Sequence, residues 1–269
     1  MEKISSLHSP HIGRVKALLG SRGKKNRDLE NSFIAEGIQV VREALKPKII
    51  EGLKVKQLFL TADGISKLSP EIDLATLDNV EVFEVTDQVI KAMADSETPQ
   101  GILALCSSRS LKIDDLWNMN PSKIAYFWQI QDPGNAGTVI RTADACGFDA
   151  IVFSDNSVDI FNPKTIRSTV GSLWHIPVTT NIEISDFLSQ ANMQNFKVFA
   201  LTGEGKAKLD QTFIASCGDK GIWIFGNEAR GLPDLPDFVE TVRIPMKGHA
   251  ESLNVASAAA IVMHLVGIN

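Results

Sequence analysis

Several signatures that would announce a chemistry are missing from this 269-residue chain. Its three cysteines, Cys106, Cys146 and Cys217, are odd in number and form no C-x-x-C pair, which argues against a disulfide framework and against a structural zinc site. His175 and His249 have no H-x-x-x-H partner, so no metal is expected. The segment T-G-E-G-K-A-K (202–208) departs from a Walker loop in its glycine spacing and in Ala207, where Ser or Thr belongs. It is no Rossmann fingerprint either, because Lys208 stands at the third glycine, and a nucleotide-dependent oxidoreductase loses its motif. A G-x-S-x-G elbow is also absent. No apolar run approaches the ~18 residues that span a bilayer, and the charged start M-E-K-I-S-S-L-H-S-P lacks the apolar stretch of a signal peptide. The expectation is a cytoplasmic globular protein with neither membrane nor metal as partner.

What is present fits that class. Apolar residues at 44% and charged residues at 22% can bury a real core, and the length suits two ordinary domains. A net charge of −5 speaks at first against nucleic acid, which calls for excess Lys and Arg. The sum hides a polarity: residues 1–60 carry 12 basic and 6 acidic side chains, whereas 61–108 carry 2 and 9. Arg14, Lys16, Arg22, Lys24, Lys25 and Arg27 fall within fourteen residues free of acids. Such a run is either a solvated charged loop or a phosphate contact.

The first hundred residues alternate short helices and strands. Ile12, Val15, Leu18 and Leu19 have helical spacing before Gly20, and F-I-A (33–35), V-K-Q-L-F-L-T (55–61), V-E-V-F-E-V (80–85) and G-I-L-A-L-C (101–106) read as strands. Residues 107–121 break the pattern and are read as a linker between a domain at 1–106 and another at 122–269. In the second part K-I-A-Y-F-W-Q-I, D-A-I-V-F-S-D, K-V-F-A-L-T and G-I-W-I-F-G are almost continuously apolar. The fold class is therefore α/β, a mainly parallel sheet covered by helices on both faces, with ligands expected where strands end.

Three segments place unusual polar residues at such ends. In Q-D-P-G-N-A-G-T-V-I-R-T-A-D-A-C-G-F-D-A-I-V-F-S-D (131–155) a turn leads into a helix with Asn135 as its expected N-cap and a lone Arg141, either solvent-facing or held for an anion. In G-I-W-I-F-G-N-E-A-R-G-L-P-D (221–234) a buried strand opens at Gly226, where bare backbone can approach a ligand. Glu228 follows, a candidate site residue or merely an acid suited to a helix start. In V-R-I-P-M-K-G-H-A-E-S-L-N-V-A-S-A-A-A-I-V-M-H-L-V (242–266) either Ser252 or Asn254 caps a last helix whose stripe of Ala256, Ala259, Ala260 and Met263 suits close packing.

Together, D-P-G-N-A-G-T-V-I-R-T-A (132–143), I-F-G-N-E-A-R-G-L (224–232) and I-P-M-K-G-H-A-E-S-L-N-V-A (244–256) resemble the three motifs of the SpoU/TrmH branch of the SPOUT RNA methyltransferases. K-T-I-R-S-T-V-G-S-L-W-H-I-P-V (164–178) resembles the family's Arg-Ser-x-x-Gly stretch. F-I-A-E-G-I-Q-V-V-R-E-A-L (33–45) resembles the start of a substrate-binding domain of the ribosomal-protein L30e type. The resemblance implies a ribose 2′-O-methyltransferase that uses S-adenosylmethionine, with a C-terminal trefoil knot and a homodimer formed through the knotted domain. It implies site roles for Arg141, Asn135, Glu228, Asn254 and Ser252, and a cofactor held near Thr202, Gly203, Gly226, Ile244, Met246 and Leu253. Arg14, Arg22, Lys24, Lys25 and Arg27 would then meet RNA phosphates. The substrate expected is 23S ribosomal RNA, with tRNA as the alternative; a non-catalytic RNA-binding or ribosome-assembly protein on the same fold is the reading from another class.

Overall fold

The structure is a computed structural model that describes residues 1–20, 22–46, 50, 52–227 and 229–268. Its contacts divide the chain into one unit of Met1–Arg109 with Asp159–His175 and another of Ser110–Val158 with Ile176–Asn269.

The first unit runs β1 (Glu2–Ile4), α1 (Pro10–Leu19), α2 (Gly23–Glu30), β2 (Ser32–Glu36), α3 (Ile38–Leu45), β3 (Val55–Leu60), α4 (Ala62–Leu68), β4 (Glu81–Val85), α5 (Asp87–Met93) and β5 (Ile102–Ser107). Its sheet has the order β1-β4-β3-β5-β2, with β5 antiparallel to both neighbours. Residues alternate across the pleat. Ile34, Phe59, Phe83, Leu103 and Leu105 therefore share a core with Ile12, Val15 and Leu18 of α1 and Val89, Ile90 and Met93 of α5. The basic run is not the loop that charge alone allows. Residues 23–30 form α2, and Asn31 ends it in the left-handed conformation (φ 45°).

The second unit runs α6 (Ile113–Asn118), β6 (Lys123–Phe127), α7 (Pro133–Ala145) and β7 (Ala150–Phe153). After β7 the chain leaves this unit, forms α8 (Pro163–Thr169) against the first, and returns. There follow β8 (Val178–Thr179), α9 (Ile184–Met193), β9 (Lys197–Leu201), β10 (Ala207–Lys208), α10 (Gln211–Cys217), β11 (Gly221–Phe225), β12 (Val239–Arg243) and α11 (Val255–Gly267). The seven strands lie in the order β10-β12-β9-β11-β6-β7-β8, and every pairing is parallel. One face of this sheet, with Ile124, Tyr126, Val198 and Ile222, packs on Phe187, Leu188 and Ala191 of α9. On the other, Phe127 stacks on Phe225 and Phe199 on Trp223, with Phe213 of α10 edge-on to both Phe199 and Trp223. Burial on both faces is why these strands read as unbroken apolar runs. Among the described residues no helix is long and apolar enough to cross a membrane.

The division expected at 107–121 differs from this partition in two respects. Residues 110–121 hold α6 and belong to the second unit, and residues 159–175 belong to the first. What holds that excursion is partly aromatic, since Phe33 of β2 packs on Phe161 and Trp174. It is also ionic. Arg27 donates from Nε (3.1 Å) and Nη2 (2.7 Å) to Asp159 Oδ2, and its remaining arm donates to the Leu18 carbonyl at the end of α1. Both side chains are mostly buried, at 6% and 13% exposure. Arg27 is thus a structural residue, which corrects its expected place among the RNA contacts. His175 and Lys46 meet Glu43 from two sides; burial alone would raise that carboxyl's pKa, but the hydrogen bonds and charges of Lys46 and His175 hold it below the ordinary value.

Removing one member of a buried ion pair leaves the other charged and unsatisfied. Asp159→Ala is therefore expected to lower the unfolding free energy by about 3 kcal/mol, read from denaturant titration; a change near zero would deny the pair its anchoring role.

Candidate active site

Parallel strands buried on both faces expose their polar backbone only at their ends, so ligands gather at the carboxyl edge of such a sheet. Here the carboxyl ends of β9, β11 and β12 open onto a cleft of about 220 Å³, closed on its far side by the start of α11. Thr202 and Gly203 follow β9, Gly226 and Asn227 follow β11, and Ile244 and Met246 follow β12; Ser252 and Leu253 precede α11. All six residues expected around the cofactor lie in this one cleft. Ser252 does too.

The wall after β11 is a tight turn. Asn227 and Gly231 exchange backbone hydrogen bonds, each 2.9 Å, and Gly231 takes the positive φ of 67° that such a reversal needs. A Cβ on Gly226 would stand 2.6 Å from the Gly231 carbonyl oxygen, so only glycine lets the strand pass beneath the turn. The Asn227 side chain is spent inside this architecture. Its Oδ1 accepts from the amides of Ala229 (2.9 Å) and Arg230 (3.1 Å), and its Nδ2 donates to the Gln129 carbonyl (2.7 Å). Gln129, just past β6, is itself held at φ 49° with its amide on Ser154 Oγ (2.7 Å). Glu228 lies outside the described residues.

Helix α7 starts differently from the expectation. Its N-cap is Asp132, whose carboxylate accepts from the Asn135 amide at 2.8 Å, with Pro133 in the first turn. Asp followed by Pro is the signal that locates this cap in sequence, since proline has no amide to leave unpaired there. Freed from capping, the Asn135 side chain accepts from Asn254 Nδ2 at 3.3 Å. Asn254, not Ser252, caps α11, with Oδ1 accepting from the amides of Ala256 (2.9 Å) and Ser257 (3.3 Å). One hydrogen bond therefore joins the first and third segments across 119 residues. Arg141 is exposed six residues further along α7, about 120° round the helix axis from Asn135. It makes no hydrogen bond or ion pair with a described residue.

The five basic candidates separate. Arg27 is buried as described, and Arg14 donates to Glu30 Oε2 at 2.8 Å. Arg22, Lys24 and Lys25 are exposed along one side of α2, beside Asp28 and Leu29. Two of the cysteines are held as thiols: burial raises the Cys146 pKa, and burial with the Glu240 charge pushes Cys217 up to about 11 against the pull of Lys197. Among the described residues no group of His, Cys, Asp and Glu is arranged to hold a metal ion. Leu232, Glu251 and Asn227 also line the cleft; they stand inside the second and third motifs, but spacing alone assigned them no role.

Residues 122–264 match the SpoU rRNA Methylase family, and residues 13–104 match the MRM3-like substrate binding domain. The chain is 35% identical to the 23S rRNA (guanosine(2553)-2′-O)-methyltransferase RlmP of Bacillus subtilis, over 99% of this chain and 100% of that protein. It is 27% identical to the 23S rRNA (uridine(2479)-2′-O)-methyltransferase of Streptomyces viridochromogenes, over 93% and 86%. Among solved structures, the AdoMet-bound rRNA methyltransferase from Sinorhizobium meliloti is 28% identical and superposes with a TM-score of 0.79 over 98% of this chain and 97% of that one.

Gly226→Ala is expected to force the 227–231 turn away from β11 while the sheet stays folded. Amide hydrogen exchange reads this as lost protection at Asn227 and Gly231 with β6 and β9 unchanged; retained protection would show that the turn tolerates a Cβ.

Proposed function

The chain belongs to the SpoU rRNA methylase family, and from that membership we propose that it transfers the methyl group of S-adenosylmethionine to a ribose 2′-hydroxyl of 23S ribosomal RNA. The observation that carries this reading is the convergence of the three segments on one cleft at the strand ends, tied together by the Asn135–Asn254 hydrogen bond. The cleft fits the cofactor in kind. Leu201, Phe225, Leu232, Ile244 and Leu253 offer apolar walls, and Gly203 and Gly226 leave backbone uncovered for polar contacts. When bound, S-adenosylmethionine supplies a sulfonium methyl that is already activated, so no metal is needed.

The protein's own task is then to align the ribose and manage its proton. Positioning alone contributes several kcal/mol to such a reaction. Arg141 is assigned to the RNA: a guanidinium stays protonated at any working pH, so it grips the target phosphate and stabilises the developing alkoxide, while the proton leaves to phosphate or water. Asn135 and Asn254 fix the relation of α7 to α11, and Ser252 faces the cleft. Glu228 is assigned to the same site on its resemblance to the second motif alone. Thr202, Gly203, Gly226, Ile244, Met246 and Leu253 are the cofactor residues in this reading.

The first unit selects the RNA, with Arg22, Lys24 and Lys25 on phosphates. Its match to a substrate-binding domain and the 23S-directed relatives favour ribosomal RNA over tRNA. A cytoplasmic homodimer with a C-terminal trefoil knot completes the proposal; the open face of α11, where apolar Ile261 lies between exposed Ser257 and His264, supports a partner there.

Arg141→Ala is expected to lower methyl incorporation from labelled S-adenosylmethionine into 23S RNA by about 10²–10³-fold, the usual loss when an electrostatic donor is removed. Arg141→Lys should recover only part of the rate, because it keeps the charge without the planar fork. If both variants keep most of the rate, the assignment is wrong. Replacing Arg22, Lys24 and Lys25 together with Ala should weaken RNA binding and flatten its salt dependence by about 2–3 in log–log slope; an unchanged slope would remove their role.

A further inference from the structure

Arg230 has no part in the reading above, yet the structure builds a mount for it. It sits in the 227–231 turn, whose ends are locked by the two Asn227–Gly231 backbone bonds and whose amides at 229 and 230 are held by Asn227 Oδ1. The turn is fastened in addition to the exit of β6, through Asn227 Nδ2 on the Gln129 carbonyl. A side chain on such a platform loses little backbone freedom when it binds. The guanidinium is exposed and, among the described residues, reaches one polar side chain, the Gln129 side-chain oxygen, at 3.5 Å. That oxygen is neutral, so it steers the arginine without cancelling its charge, and Arg230 forms no ion pair with a described residue.

Asn227, Gly231 and Leu232 line the cleft, and the Arg230 guanidinium stands beside it, next to Gln129 at the exit of β6, on the sheet's carboxyl edge. A planar fork with several donors matches the oxygens of a phosphodiester in two-point fashion.

We propose that Arg230 is an RNA-binding residue that clamps a backbone phosphate next to the nucleotide being methylated, with Gln129 as the positioning residue that aims it. This rests on the methyltransferase reading. The contact is to backbone and carries no base preference. It is made alike before and during methyl transfer, so it acts on RNA affinity and not on the chemical step.

The test measures three quantities on the full-length protein: equilibrium Kd for a 23S RNA fragment at several salt concentrations, Kd for S-adenosylmethionine by calorimetry, and steady-state methyl transfer. Arg230→Ala should raise the RNA Kd and KM about tenfold and reduce the salt slope by about one, with kcat and the S-adenosylmethionine Kd unchanged. Arg230→Lys should keep the slope and recover part of the affinity, and Gln129→Ala should raise KM less than Arg230→Ala does. Unchanged RNA affinity and slope would overturn the proposal. So would a fall in kcat at constant KM, or weaker S-adenosylmethionine binding, since either places Arg230 elsewhere. Wild-type protein that binds RNA but transfers no methyl would refute the enzymatic reading, while the Arg230→Ala effect on RNA Kd would still decide this one.

Discussion

A parallel sheet covered on both faces can present polar groups only at its strand ends, and the chemistry of this protein is arranged around that constraint. The central strands β9, β11, β6 and β7 are buried on either side of the pleat, so no ligand can lie against their faces. At the carboxyl edge the situation reverses. Three adjacent strands, β12, β9 and β11, release their chains into loops that diverge, and the space between the loops is the cleft. Adjacency in the sheet, not adjacency in the chain, decides which loops meet. Strand β9 ends some forty residues before Ile244, yet Thr202 and Ile244 face one another because β9 and β12 pair.

The polar residues at this edge do two kinds of work, and the structure separates them. Asn254 is occupied on one side by capping α11 and on the other by Asn135, so its geometry is set before any substrate arrives. Asn227 is committed in the same way to the turn that follows β11. These residues spend their hydrogen bonds internally and hold loops in place. Arg141 and Arg230 have side chains that leave the protein charged and accessible, which is the condition for meeting an anionic polymer. Building rigid supports from asparagines and leaving the arginines open keeps the reactive geometry independent of the long, flexible side chains.

The first unit shows why charge counted along a chain is a poor measure of charge available to a partner. Of the five residues between 14 and 27 expected on RNA phosphates, Arg27 is buried against Asp159 and Arg14 is paired with Glu30. Three remain open, on the exposed side of α2. The buried pair has another consequence: it fastens a segment that begins and ends in the second unit's sequence to the body of the first. An ion pair with so little access to water stabilises only while both partners are present, so the excursion and α2 depend on one another.

Much of the fold was legible in one dimension. Apolar runs marked the buried strands, glycine and proline marked where they stop, and the three polar segments at strand ends pointed to the site because nothing in a covered sheet explains Asn, Arg and Glu there. The resemblance carried by those segments supplied the reaction class. What the sequence did not contain was the pairing of distant residues. Neither Arg27 nor Asp159 differs locally from a surface residue, and they lie 132 positions apart. The Asn135–Asn254 bond, the left-handed Gln129 and the excursion at 159–175 are likewise products of packing. Local patterns record which face of an element is buried, because burial acts on each residue's own hydrophobicity. Which partner a polar or charged side chain meets depends on where the whole chain brings its backbone, and that was decided only in three dimensions.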